Sequence, residues 1–255
     1  MMTLHPIRFP LIAACIALAL SACGGESEQK GAPAAAADKA NVVTRNNVTE
    51  PQSLDPHQMT GVPEINIVRD LLEGLVETDA KGALMPAAAE SWSSPDNKVW
   101  TFKLRADAKW SNGDALTAED FVYSWRRLVD PKTASQYASY LQAARIVNID
   151  EILEGKKTPD TLGIKALDAH TLQVDLSLPV PYFPKMLYHA AVKPVHRTTV
   201  EKFGVKWTQP ANFVGNGPYT IAKWVVNERI ELARNPQYRD NANTRIDKVV
   251  FLPIG

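Results

Sequence analysis

The segment KVWTFKLRADAKWSNGDALTAEDFVYSW, Lys98 to Trp125, holds three tryptophans, two phenylalanines and one tyrosine in 28 residues. Its spacing constrains the fold more than any other stretch. Trp100, Phe102 and Leu104 alternate with Thr101, Lys103 and Arg105, which puts three large apolar side chains on one face of a strand and polar ones on the other. Such a face covers a core. A turn at Ser111-Asn112-Gly113-Asp114 follows. Thr117 then stands as N-cap, Glu119 and Asp120 fall in the first turn, and Phe121, Trp125 and Leu128 recur at helical spacing. This predicts an amphipathic helix that stops before Pro131.

Short strands mixed with helices recur along the chain, without an internal repeat. Ile164 to Leu167, a turn at Asp168-Ala169-His170, and Leu172, Val174, Leu176 and Leu178 alternating with polar residues predict a hairpin whose second strand is half buried. Pro179, Pro181 and Pro184 end it. NGPYTIAKWVVNERIELARNPQY predicts a second antiparallel pair turning near Asn227-Glu228, and IDKVVFLPIG a last strand. An apolar strand with nothing after it leaves an uncovered edge, so Gly255 is suspect as a natural terminus.

The N-terminus reads MMTLHPIRFPLIAACIALALSAC, an apolar run from Phe9 to Leu20 behind a single Arg8. That run is shorter than the roughly 20 residues a membrane-spanning helix needs, and it sits where a secretory signal sits. Leu20-Ser21-Ala22-Cys23 resembles a bacterial lipobox, which implies cleavage at residue 22 and a lipid on Cys23; an ordinary signal peptide is the alternative. Residues 23–40, rich in Gly, Ala, Ser and charge, suit a flexible tether. Both cysteines, Cys15 and Cys23, fall in these segments, so the folded part holds no thiol for a disulfide, a nucleophile or a metal. Removing residues 1–22 takes only Arg8 from 28 basic residues against 28 acidic ones. Such neutrality offers no argument for a nucleic-acid partner.

Catalytic and metal signatures are weak. His57, His170, His189 and His196 lack ligand spacing and read as surface or strand-exit residues. Asp70 and Glu73, three apart on a plausible helix, read as a solvated face before an acid–base pair. GNGPY at Gly215 to Tyr219 lacks the lysine of a phosphate loop and reads as a turn. No cofactor is implied.

SLDPH, LLEGL, the block AESW…WTFKLR…AKWSNGD…LTAEDFVYSW, WTQPANFVGNGPY and VVNERI, in this order, resemble the N-terminal half of the periplasmic oligopeptide-binding proteins, receptors of peptide ABC transporters. The resemblance covers nearly all of Asn41 to Ile254. It is nearer to the oligopeptide and murein-peptide branches than to the dipeptide, nickel or haem branches. It implies an α/β, periplasmic-binding-protein-like fold of type II with an extra domain, truncated here before the second lobe, since members run to about twice this length. Large-lobe segments 41–72 and 197–255 would flank an inserted smaller domain, 73–196.

A receptor that accepts many peptides has to bind the backbone and termini that all peptides share. The resemblance implies that the segment at Gly61-Val62-Pro63-Glu64 runs beside bound peptide and that Tyr137 reaches in from the smaller domain. Read without it, Val62 is a loop residue and Tyr137 a core tyrosine. Close relatives carry an acid before the glycine where this chain has Thr60, which puts a charge preference at that subsite in doubt. The resemblance places the groups that grip peptide termini outside these 255 residues, so alone they are expected to bind peptide very weakly or not at all. The implied partners are oligopeptides, an inner-membrane peptide ABC permease and, through Cys23, a membrane; a monomer is expected, in the periplasm. Two other classes stand beside this one: a truncated envelope lipoprotein serving as an interaction or surface protein, and an envelope hydrolase, for which no nucleophile–base arrangement is recognisable.

Overall fold

The structure is a computed structural model that describes residues 40–255. In chain order its strands are β1 (Val42–Asn46), β2 (Val76–Thr78), β3 (Leu84–Pro86), β4 (Ala89–Ser93), β5 (Val99–Leu104), β6 (Ile164–Asp168), β7 (Thr171–Asp175), β8 (Tyr219–Val225), β9 (Arg229–Arg234) and β10 (Lys248–Leu252). Its α-helices are α1 (Val62–Leu71), α2 (Ala118–Val129), α3 (Ala138–Ala143), α4 (Ile149–Leu153), α5 (Phe183–Met186) and α6 (Arg197–Phe203). One four-stranded sheet has the order β1-β10-β9-β8, the other β4-β5-β7-β6, and β2 pairs with β3 alone. β1 runs parallel to β10, with Val42 opposite Lys248, and every other pairing is antiparallel.

The aromatic block builds the core of the second sheet. Trp100, Phe102 and Leu104 of β5 are buried while Lys103 faces solvent, as the alternation predicts. α2 lies across β6 and β7 and sends Phe121, Trp125 and Leu128 inward. The Phe183 ring sits between them, with centroids 6.1, 6.2 and 6.4 Å from Trp100, Phe102 and Trp125. Burying each such ring contributes about 2–3 kcal/mol. The Trp125 indole N–H donates to the Val192 carbonyl at 2.9 Å, so its polar edge is also satisfied. At the head of α2 the Asp120 carboxylate reaches back and accepts from the Thr117 N–H at 2.7 Å, the reciprocal half of a capping box.

Two local expectations shift. The second strand of the first hairpin ends at Asp175, and Leu178, expected to face inward, is exposed because the Ser177–Pro179 segment has left the sheet. Gly215 and Gly217 do more than turn the chain. The Gly217 N–H donates to the Leu71 carbonyl at 3.0 Å. A Cβ on Gly215 would lie 2.4 Å from that same oxygen. These glycines let residues 215–217 lie against the end of α1, a close approach no larger residue permits.

Candidate functional site

Thr60, Gly61 and Val62 form the head of α1. Glu64 is buried beneath them, and its carboxylate accepts from the Gly61 N–H at 3.0 Å and from the Gln52 N–H at 2.8 Å. One acid thus fixes two loops from below. Pro63 in the first turn needs no hydrogen-bond donor there, and the Val62 N–H is one of the first-turn groups that an α-helix leaves without an internal acceptor. Thr60 is exposed and Val62 is 67% exposed. Gly61 is extended at φ −157°, which any residue adopts, and a Cβ there would make only ordinary contacts at 3.4 and 3.5 Å. Its conformation therefore does not require glycine; what the missing side chain does is bare the main chain.

Tyr137, just before α3, is half-buried and leans on His189, with ring centroids 5.0 Å apart and planes at 48°. Tyr140 stacks on the same imidazole at 4.4 Å and 27°. Its hydroxyl donates to the Met186 carbonyl at 2.9 Å, and His189 Nδ1 accepts the Ala191 N–H at 3.1 Å. The imidazole is thus held as the Nε2–H tautomer. Burial first, and then the charge of Arg69, lower the His189 pKa and keep the ring neutral. Two contacts join the segments that flank this cluster to α1 and to the loop before it. Gln58 Nε2 donates to the Thr133 carbonyl at 3.4 Å, and α1 packs against the turn at Ala190–Val192. Cys23 lies outside the described residues.

Buried charge, which the spacing did not reveal, ties the segments around this surface together. Asp55 accepts two hydrogen bonds from Arg127, at 2.9 and 2.6 Å, and one from the Trp207 indole at 3.0 Å. Burial pushes the Asp55 pKa up, but the Arg127 hydrogen bonds and charge, with the Trp207 hydrogen bond, outweigh it and hold the carboxyl below its ordinary value. His57 and His196, read from the sequence as surface or strand-exit residues, are buried. His57 Nδ1 faces Arg127 Nη1 at 2.7 Å. Glu73, read as part of a solvated face, is also buried, just beyond the end of α1. Its carboxylate accepts from Arg239 at 2.9 and 2.6 Å and from the Tyr238 hydroxyl at 2.7 Å. Asn216 brackets the Glu73 backbone, accepting its N–H at 3.0 Å and donating to its carbonyl at 2.9 Å. Lys193, wholly buried, donates to the Leu72 carbonyl at 2.8 Å and pairs with Glu77. The signal for Glu73 lay in two separate motifs, LLEGL and NPQYR, that nothing local connects.

A chemical role finds little support in these groups. Thr199, His196 and Asp114 form a hydroxyl–imidazole–carboxylate chain at 2.6 and 2.9 Å. Thr199 is buried, so no substrate reaches its oxygen. Among the described residues no three His, Cys, Asp or Glu side chains are placed to hold a metal, and no helix is long and apolar enough to cross a membrane.

The family model described as bacterial extracellular solute-binding proteins, family 5 Middle, matches residues 83–255. The periplasmic oligopeptide-binding protein OppA of Salmonella typhimurium is 58% identical over 245 residues, covering 96% of this chain and 45% of that protein. OppA of Escherichia coli is 61% identical, over 86% of this chain and 40% of its own length. The periplasmic murein peptide-binding protein MppA of E. coli is 49% identical over the same shares, whereas a dipeptide-binding protein of Lactococcus lactis is 35% identical. This ranking agrees with the nearer resemblance to the oligopeptide and murein-peptide branches. The structure of Haemophilus influenzae OppA in complex with RPPGFSPFR superposes with a TM-score of 0.83 at 50% identity, over 85% of this chain and 42% of that one. The E. coli murein tripeptide binding protein MppA gives 0.83 at 48% over the same shares. The chain spans less than half the length of the curated relatives it matches. The motif order, the α/β architecture shared with these binding proteins and the family match place this chain in family 5 of the bacterial extracellular solute-binding proteins.

Proposed function

We propose that this chain forms part of an extracytoplasmic receptor that binds oligopeptides and delivers them to a peptide ABC permease in the inner membrane. One observation carries the reading: the bare, exposed main chain at Gly61-Val62, fixed from below by Glu64, in a chain 58% identical to a periplasmic oligopeptide-binding protein. An extended peptide laid beside that segment would pair with it through backbone groups alone, which suits a receptor indifferent to side chains. Tyr137 would close one side of the groove, its ring backed by His189 and Tyr140. Thr60 carries no charge, so it would impose no charge preference there.

Residues 41–72 and 197–255 form the large lobe in this reading, and 73–196 the smaller domain. Its support is that β1, β8, β9 and β10 come only from the first set and β4 to β7 only from the second. Lipidation of Cys23 would tether the receptor to a membrane on the periplasmic side, with the protein acting as a monomer. The relatives are solute-binding proteins, not enzymes.

Nuclear magnetic resonance titration of the chain with tri- to pentapeptides tests the site directly. Amide shifts concentrated at Thr60 to Val62 and around Tyr137, absent in Tyr137→Ala near Tyr137, are expected. Saturating shifts located elsewhere would count against it.

A further inference from the structure

A second cleft opens at the other end of α1. It has a volume of about 380 Å³, within the range of small-molecule sites, and is lined by residues of α1, β1 and the Leu72–Thr78 segment together with Pro218 and Tyr238. Its charged groups divide sharply. Glu73 is spent on Arg239 and Tyr238, and Glu77 on Lys193. Asp70 and Arg69 are not spent. Among the described residues the Asp70 carboxylate, 23% exposed, accepts no hydrogen bond, and its ion-pair partner, Arg45, stands at 3.6 Å. Arg69 has no carboxylate within 4.0 Å among the described residues and makes no hydrogen bond with its guanidinium; the Thr78 hydroxyl is likewise uncommitted. A mostly buried carboxylate without a donor is costly, and the groups that relieve such a cost are a ligand or ordered water.

We infer that this cleft binds a small zwitterion of the α-amino acid class, its ammonium on Asp70 and its carboxylate on Arg69, as a site separate from the Thr60–Val62 surface. Arg69 supplies a planar fork suited to a carboxylate, and adjacent Asp70 supplies the acceptor that an ammonium needs. A ligand carrying both charges satisfies both residues at once. Thr78, which also lines the cleft, gives a neutral hydroxyl for a third contact.

Acid should weaken this site. Asp70 is raised to about 6 by burial, against the opposing charges of Arg45, Lys193 and Arg69; Tyr219, Glu73, Glu77 and Tyr238 complete the titratable groups around it. Below that pH the ammonium loses its acceptor, and affinity falls by about tenfold per unit. None of this rests on the peptide reading, and Tyr137→Ala separates the two.

The test is calorimetric titration of the 255-residue chain with L-alanine, alongside propionate and ethylammonium as half-ligands. Saturable binding of L-alanine alone is expected. Arg69→Gln and Asp70→Asn should each weaken it at least about tenfold, while Tyr137→Ala leaves it unchanged. Arg69 is exposed and the Asp70 change is isosteric, so both variants keep the fold. Absence of saturable L-alanine binding at tens of millimolar, or binding that survives either substitution unchanged, overturns the inference.

Discussion

Replacing His57 with glutamine should change how the protein responds to acid, and the structure sets the size of the change. The imidazole is 0% exposed, and its Nδ1 lies 2.7 Å from Arg127 Nη1, a nitrogen that can only donate. Nδ1 must accept, so the ring is neutral in the fold. Burial and then the Arg127 charge lower its pKa from 6.5 to about 3, although Asp55 pulls the other way. A base with its folded pKa depressed binds fewer protons folded than unfolded between those two values. Stability therefore falls as pH drops through that window, by about 1.4 kcal/mol per unit. From about pH 6.5 to 4.5 the loss attributable to His57 is about 2–3 kcal/mol.

Asp70 acts in the opposite sense. Its folded pKa is raised from 3.8 to about 6, so the folded state binds more protons in that window and gains stability as pH falls, by at most about 3 kcal/mol. The wild-type curve alone would hide both effects. Urea unfolding followed by tryptophan fluorescence should be run on wild type and His57→Gln at about pH 7 and about pH 4.5, since the difference cancels Asp70. Glutamine keeps an acceptor for Arg127 but does not titrate. The variant should gain about 2–3 kcal/mol relative to wild type on acidification. A difference constant within about 0.5 kcal/mol across that range would show that His57 is not held neutral, and the tautomer argument would fail.

Two further outcomes follow from the packing. Asp55 and Arg127 have side chains only 3% and 16% exposed, so Asp55→Leu or Arg127→Met alone should cost about 3–5 kcal/mol by stranding the other charge. The double variant should cost at least about 2 kcal/mol less than the sum, and strict additivity in urea unfolding would contradict the pairing. At Gly217 a Cβ would stand 2.6 Å from the Leu71 carbonyl carbon and 2.7 Å from the Leu72 nitrogen, both main chain. Gly217→Ala should therefore lower stability by about 1–3 kcal/mol, and an unchanged melting temperature would mean the 215–217 segment does not lie on α1.

The limits of reading this chain from its sequence follow from the range over which each interaction acts. β5 and α2 were legible because their signals are local. Trp100, Phe102 and Leu104 repeat at the period of a strand, and Thr117, Asp120 and Pro131 bracket a helix within one short window. Polar burial has no such window. Glu73 meets Arg239 across 166 positions, Asp55 meets Trp207 across 152, and Lys193 meets the Leu72 carbonyl across 121. Each of these residues, taken alone, looks like the solvated charge that most Asp, Glu and Lys are, which is why the spacing of Glu73 suggests a solvated face. The candidate surface is silent for the converse reason. Gly61 has an ordinary extended backbone and Val62 is a single exposed valine, so neither strain nor burial marks them. A site that works by offering unadorned main chain leaves no side-chain chemistry in the sequence to find. Order of motifs, which samples the whole fold at once, could point to it where spacing could not.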